Sequence, residues 1–264
     1  MRSSEAAQPH RLTDRVRGGS LAIQSNSSLA EYSDTSIKSF ITDGFTTDAN
    51  GGSNGSGRTY VAWAWKADNT SGSTNTDGSI TSTVAANPDA GFSIVSYTGT
   101  GANATVGHGL GVAPSMVFYK KRSGAYDGCV YSKAIGAANR LILFAVDGTL
   151  ASASDSTFFQ STNPTSSVLY LGTREHLNGS GATYIAYCFH SVDGFSKFGS
   201  YTGNGSSDGP FVYTGFSPAF VMVKPIDGTG DWQMLDCKRE GINPISIVYL
   251  QTFLIKNMPI QFIT

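Results

Sequence analysis

Two pentapeptides have the spacing of a nucleophile elbow, G-x-S-x-G: Gly51-Gly52-Ser53-Asn54-Gly55 and Gly205-Ser206-Ser207-Asp208-Gly209. An elbow sets its serine on a sharp turn between a buried strand and a helix, with an acid and a histidine elsewhere in the chain. Neither pentapeptide is followed by a helix-forming segment, and a chain with 31 glycines produces the pattern by composition. Glycoside cleavage needs two carboxylates held several ångströms apart. Here Glu5, Glu31, Glu175 and Glu240 are scattered, and no Glu-x-Asp-x-Glu strand occurs. His108, in "GHGLGVAP", is a general base or metal ligand only if it has a partner. No H-x-H or H-x-x-E spacing supplies one, so it reads as a turn histidine bonded to nearby backbone. His176 and His190 are isolated in the same way. Cys129, Cys188 and Cys237 stand far apart among strand-like residues. That spacing implies buried free thiols, neither a disulfide framework nor a zinc site. No catalytic residue, cofactor or metal site is expected.

Binding chemistry has better candidates. Aromatic rings and amides in turns suit the shallow recognition of sugars, and Tyr126, Trp232, Asn103 and Asn204 are the candidate glycan-binding residues. Trp63 and Trp65 alternate in a strand-like run beside Val61 and are assigned to the core. Asp14/Arg17 and Asp236/Arg239 have the spacing of fixed surface ion pairs.

The elements that must carry these residues are strands. Charged residues make up only 14% of the chain, against a usual share of about 25%. Gly, Ser, Thr and Asn fill the deficit, which suits short strands and tight turns and disfavours long helices. A net charge of −1 leaves no footprint for nucleic acid or an anionic membrane. The densest basic run, Lys120-Lys121-Arg122, reads as a solvated strand end. No apolar stretch is long enough to span a bilayer, and the N-terminus lacks the apolar core of a signal peptide.

The chain also repeats itself. "GFSIVSYTG" from Gly91 returns as "GFSKFGSYTG" from Gly194, with Tyr97-Thr98-Gly99 and Tyr201-Thr202-Gly203 104 residues apart. Pro114 and Pro218 stand at the same offset, each before an apolar strand, "SMVFYK" and "AFVMVK". "GSGRTYVAWAWKA" from Gly55 returns as "GSGATYIAYCFHS" from Gly179, 124 residues on. In the later copy Ile185, Tyr187 and Phe189 share one face and Tyr184, Ala186 and Cys188 the other, as in a strand covered on both sides. "LTDRVRGG" near Leu12 resembles "MLDCKREG" near Met234.

These matches divide the chain. Residues 12–67 form the second half of a β-sandwich unit, 68–90 a Ser/Thr/Gly/Asn-rich linker, and 91–191 a complete unit. Residues 194–264 form the first half of another, ending in a divergent apolar stretch. A half-unit alone exposes sheet edges and an apolar face, so 194–240 is expected to pair with 12–67, within one chain or between chains.

Together, "GFSIVSYTGTGANATVGHGLGVAPSMVFYKKR", "NPTSSVLYLGT", "GSGATYIAYCFHS" and "GSYTGNG…GFSPAFVMVK…DWQMLDCKR" resemble a repeat module of bacteriophage tail-fibre and other virion proteins, notably marine ones. Such modules are sometimes labelled B30.2/SPRY-like or concanavalin-like. The resemblance covers residues 12 to 244, with two departures. Gly128 stands where the module has the Trp that Trp232 keeps, and the polar continuation after Asn243-Pro244 is missing. It implies an all-β protein of tandem or interlocked antiparallel β-sandwich units, jelly-roll or concanavalin-like. It further implies a non-catalytic structural or host-recognition role in a virion. The expected partners are other virion subunits, as a homotrimer, and a host-surface glycan. The alternatives are a secreted carbohydrate-binding module of a marine bacterium and, more distantly, a polysaccharide-degrading enzyme.

Overall fold

The computed structural model describes residues 2–3, 9–49, 52–142, 156–238 and 249–250. Among them, helix is confined to α1 (Ser156–Phe159), α2 (Glu175–Asn178) and a 3-10 turn at Pro88–Ala90. The remaining regular structure is antiparallel sheet. The largest sheet has seven strands in the order β14 (Leu141–Ile142), β13 (Cys129–Ser132), β12 (Met116–Lys121), β16 (Thr183–Phe189), β10 (Phe92–Thr98), β9 (Ser82–Asn87) and β8 (Ser73–Asn75). Two three-stranded sheets accompany it: β2 (Arg11–Asp14), β3 (Gly18–Gln24) and β4 (Tyr32–Ser33), then β17 (Phe220–Val223), β18 (Gln233–Asp236) and β19 (Tyr249–Leu250). Three strand pairs complete the set: β1 (Arg2–Ser3) with β7 (Tyr60–Val61), β5 (Ser39–Ile41) with β6 (Gly44–Thr46), and β11 (Ala104–Gly107) with β15 (Val168–Leu171). The chain is thus all-β, built of several antiparallel sheets.

Period-2 alternation places two cores on the seven-stranded sheet. Val95, Tyr97, Tyr119, Tyr184, Ala186 and Cys188 face one core, closed by Val106, Leu169 and Leu171 of the β11–β15 pair and by Phe158, Phe159 and Leu177 of the helices. Phe92, Ile94, Ile185 and Tyr187 face the other, covered by Ile23 of β3 and by Ala67. Strand β16 is therefore buried on both sides, as its sequence predicts. Complete burial of a side chain such as Ile185, at 0% exposure, is worth about 1.5–3 kcal/mol. A third core joins Val130 and Leu141 to Trp232 and Met234, with Trp63, Phe118 and Phe220 packed against it.

Two hairpins share one geometry. Met116 lies opposite Ser132, Phe118 opposite Val130 and Tyr119 opposite Cys129 in β12–β13. Phe220 lies opposite Asp236, Met222 opposite Met234 and Val223 opposite Gln233 in β17–β18, each pair 104 residues on. The turns before Tyr60 and Tyr184 also agree. Gly55 N–H donates to Tyr60 Oη at 2.8 Å and Gly179 N–H to Tyr184 Oη at 2.7 Å, while Gly57 and Gly181 take φ of +72° and +69°.

Several expectations need correction. Residues 68–90 are not a linker: they supply the edge strand β8, whose polar composition suits a margin open to water, and its inner neighbour β9. Val84 and Ala85 still bury opposite faces of β9. In the run from Tyr60 to Trp65 only Tyr60–Val61 is strand; Trp63 packs against the third core, but Trp65 is 48% exposed and not part of a core. Lys120 and Lys121 are buried, at 2% and 8% exposure, since their ammonium groups find internal acceptors. Cys129 and Cys188 are buried as expected, but Cys237, one residue beyond β18, is exposed. Asp14 and Arg17 do pair, at 2.5 Å, in the interior and not at the surface. Arg239 and residues 251–264 lie outside the described residues.

Candidate functional site

Residues 122–128 connect β12 to β13 and carry Tyr126 to the end of the sheet where α2 docks. Lys120 fixes this loop from beneath, donating to the carbonyl oxygens of Ser27 at 2.7 Å and Tyr126 at 2.5 Å. Lys121 fixes it from the side: its Nζ lies 4.5 Å from the Tyr126 ring centre and 2.6 Å from Glu175 Oε2. Helix α2 is held in turn by Tyr184, whose hydroxyl donates to the Glu175 carbonyl at 2.6 Å. His176 on that helix meets the Tyr126 ring edge-on, centroids 5.0 Å apart at 74°. It also leans on Phe158 at 5.6 Å, and Arg140 lies 3.9 Å and Arg174 5.5 Å from the centre of that same ring.

The cluster is electropositive around an aromatic centre. Burial lowers the His176 pKa, and Arg140, Arg174 and Lys121 lower it further against the opposing pull of Asp127, so the imidazole is neutral at pH 7. Its Nδ1 is buried and unpartnered among the described residues. Glu175 is tied into its ion pair with Lys121, which suits positioning better than proton transfer. Rings beside guanidinium groups hold ligands by stacking and charge-assisted hydrogen bonds, the chemistry of acidic saccharides.

A second surface lies at the far end of the face that packs on Ile23. It is an open groove of about 250 Å³ lined by hydroxyls. Thr74 stands opposite Thr83, Thr83 opposite Ser96, and Thr98 opposite Thr183, so the row crosses four strands. Arg122 borders it, donating to Ser96 Oγ at 3.0 Å and to both Glu31 carboxylate oxygens at 2.8 and 2.9 Å. Burial alone would raise the Glu31 pKa, but Arg122 and Arg17 outweigh it and hold the carboxyl below its ordinary range. With its cation neutralised, this groove is hydroxyl chemistry without net charge.

The sequence candidates are not gathered into one site. Tyr126 is half-buried in the cationic cluster, and Asn103 and Asn204 are exposed in separate loops. Trp232 is 1% exposed, its ring edge-on to Phe118 at 6.3 Å, so it fills the third core and offers no surface to a sugar. Its turn-rich neighbourhood suggested a loop; the hairpin register turns it inward. His108 behaves as its sequence suggests, fully buried: Nδ1 accepts from Leu110 N–H at 3.3 Å and Nε2 lies 3.2 Å from the Thr165 carbonyl oxygen. Ser53 of the first G-x-S-x-G is spent on the Ser36 carbonyl at 2.8 Å, and the second pentapeptide is an exposed turn. Sequence reasoning missed Lys121, Arg140, Arg174 and Glu175. They converge from three separate segments, and no local spacing announces them.

The loop cluster, the two covered faces and the paired hairpins all lie within one stretch of chain that matches a family model. Residues 1–257 match the Domain of unknown function (DUF7483). The chain belongs to this family. No curated protein and no solved structure matches it. In this DUF7483 chain no helix among the described residues is long and apolar enough to cross a membrane. No group of three or more His, Cys, Asp or Glu side chains among them is arranged to hold a metal ion.

Proposed function

We propose that this chain is a non-catalytic structural and host-recognition module of a phage virion, in a tail fibre or tail-associated part, binding an acidic host-surface glycan at the Tyr126 cluster. The observation that carries the recognition half is the Tyr126 ring, fixed by Lys121 and His176 beside Arg140 and Arg174. The virion half rests on the tail-fibre-like phrases. Under this reading the folding unit is a tandem or interlocked β-sandwich, supported by the shared register of β12–β13 and β17–β18 and by the matching turns before Tyr60 and Tyr184.

Screening the purified chain against neutral and acidic saccharides, with Tyr126→Ala in parallel, tests the site. Binding to acidic saccharides that falls at least about tenfold in the variant upholds it, since a stacking contact is worth about 1–2 kcal/mol. Binding that the substitution leaves intact removes it. The same site would serve a secreted carbohydrate-binding module, and assembly separates the two: light scattering on the eluting species gives a trimer for the virion reading and a monomer for the secreted one. Turnover of a polysaccharide by the purified chain would overturn the non-catalytic assignment.

A further inference from the structure

Arg140 is a cation with no anion beside it. It lies immediately before β14, half-buried, with its Cζ 3.9 Å from the centre of the Phe158 ring. Phe158 is 4% exposed and packed in the core, so the ring is a fixed platform. Among the described residues Arg140 takes part in no hydrogen bond and no ion pair. The other cations of the cluster are engaged: Lys121 with Glu175 at 2.6 Å, and Arg174 through Nε with Thr157 Oγ1 at 2.8 Å. Lys121, Arg140 and Arg174 set three positive charges against the two negative charges of Glu175 and Asp127, an excess of one. A guanidinium drawn partly out of water is stabilised by an anion, and no described side chain supplies it.

We propose, building on the acidic-glycan reading, that Arg140 holds the anion at the Tyr126 cluster and that this anion is the carboxylate of a uronic acid in a saccharide chain. Stacking distance places the guanidinium over the ring face, which leaves its N–H fork open at the rim. A carboxylate meets that fork with two oxygens in the guanidinium plane, forming two parallel N–H···O bonds. A sulfate ester is tetrahedral, so the same grip turns a further oxygen toward the Phe158 face, where the ring quadrupole is negative. A phosphate monoester carries about −1.5 to −2 charges at pH 7, more than the single positive charge in excess. The carboxylate fits both the plane and the charge.

The rings continue from Arg140 to Tyr126. Phe158 meets His176 at 5.6 Å and His176 meets Tyr126 at 5.0 Å, centre to centre. The imidazole between them is neutral at pH 7 and adds no charge of its own. A saccharide anchored by its carboxylate on Arg140 therefore has half-buried aromatic surface ahead of it as far as Tyr126, whose ring Lys121 holds at 4.5 Å.

Equilibrium binding of three probes to the unaltered chain tests the anion: a glucuronic acid oligomer, the same oligomer with its carboxylates reduced to alcohols, and an O-sulfated glucose oligomer of equal length. The glucuronate oligomer is expected to bind at least about tenfold more tightly than either of the others, the difference a charge-assisted bidentate pair makes. Arg140→Lys keeps the charge and loses the fork, and is expected to weaken glucuronate binding at least about tenfold. Where that variant does not fold, protection of Arg140 from phenylglyoxal by the glucuronate oligomer, read by mass spectrometry on the unaltered chain, decides its role. Equal affinity for the sulfated and glucuronate oligomers overturns the carboxylate assignment. Unchanged affinity in Arg140→Lys, or modification of Arg140 that the oligomer does not slow, overturns the role of Arg140. Tyr126→Ala separates the two levels. A loss there with none at Arg140 keeps the glycan reading and removes this one; a loss at neither, or no binding of any acidic probe, removes both.

Discussion

Tyr187 donates its hydroxyl hydrogen to Asp14 Oδ2 at 2.7 Å, joining the centre of the large sheet to β2 across 173 residues of chain. Arg17 closes the triangle, donating from Nε to Asp14 at 2.5 Å and from Nη2 to the Tyr187 oxygen at 3.0 Å. Glu31 accepts from Arg17 at 3.0 Å and also holds Arg122, so the network runs on to the hydroxyl groove. Burial works against the Arg17 charge, but Tyr187 and Asp14 outweigh it and raise its pKa. Burial lifts the Tyr187 phenol well above its ordinary value.

This network should carry much of the attachment of the N-terminal sheet. Tyr187→Phe keeps the ring in its core and removes both the hydrogen bond to Asp14 and the one from Arg17, a loss of about 2 kcal/mol. Asp14→Asn leaves the buried Arg17 short of its carboxylate and should lose about 3 kcal/mol or more. Urea unfolding followed by tryptophan fluorescence measures both, and equal, negligible losses would show that the triangle is not a structural tie.

Thiol reactivity should divide the cysteines one against two. Burial pushes the Cys129 and Cys188 thiols up to about 12, so neither offers thiolate at neutral pH, while Cys237 is exposed. Titration of the native chain with an aromatic disulfide at pH 8 is expected to modify one thiol rapidly, and all three after denaturation. Rapid modification of three in the native state would contradict the burial.

Lys120 predicts an alkaline effect of definite sign. Burial lowers its pKa from an ordinary value near 10.5 to about 8, against a smaller upward pull from Asp127. Between those values the unfolded chain holds the proton and the folded chain does not, so stability from this group rises with pH across that window. The neutral amine still has two N–H bonds for the Ser27 and Tyr126 carbonyls. The stability of the unaltered chain relative to Lys120→Met should therefore shift in its favour by on the order of 1–2 kcal/mol between pH 7.5 and 10. Comparison with the variant cancels the opposing loss from Cys129 and Cys188 above pH 9. A flat difference across the range would show that Lys120 titrates normally.

Local rules carried the sequence as far as local rules reach. Alternation of Tyr184 to Phe189 and of Phe92 to Thr98 determined the two-faced central strands, and glycine-rich composition determined the all-β class. The lone His108 between glycines was legible as a backbone-bonded residue, because nothing near it supplies a partner. Four features were decided only by the tertiary structure. The polar stretch 68–90 became strands because β10 supplies a ladder for β9 and the sheet edge tolerates the polar β8. Trp232 turned inward because its hairpin sets the face. Lys120 and Lys121 were buried because the Ser27 and Tyr126 carbonyls and the Glu175 carboxylate accept their hydrogen bonds. The cluster around Tyr126 assembled from segments more than ten residues apart. The phrase at Gly91 and its copy at Gly194 state the reason most plainly: similar residues form a buried strand where two neighbouring strands supply hydrogen bonds and lie mostly exposed where only a tight bridge from Val192 to Ser196 holds them. Side-chain pattern belongs to the sequence, but a strand exists only with its partner, and the partner is chosen in three dimensions.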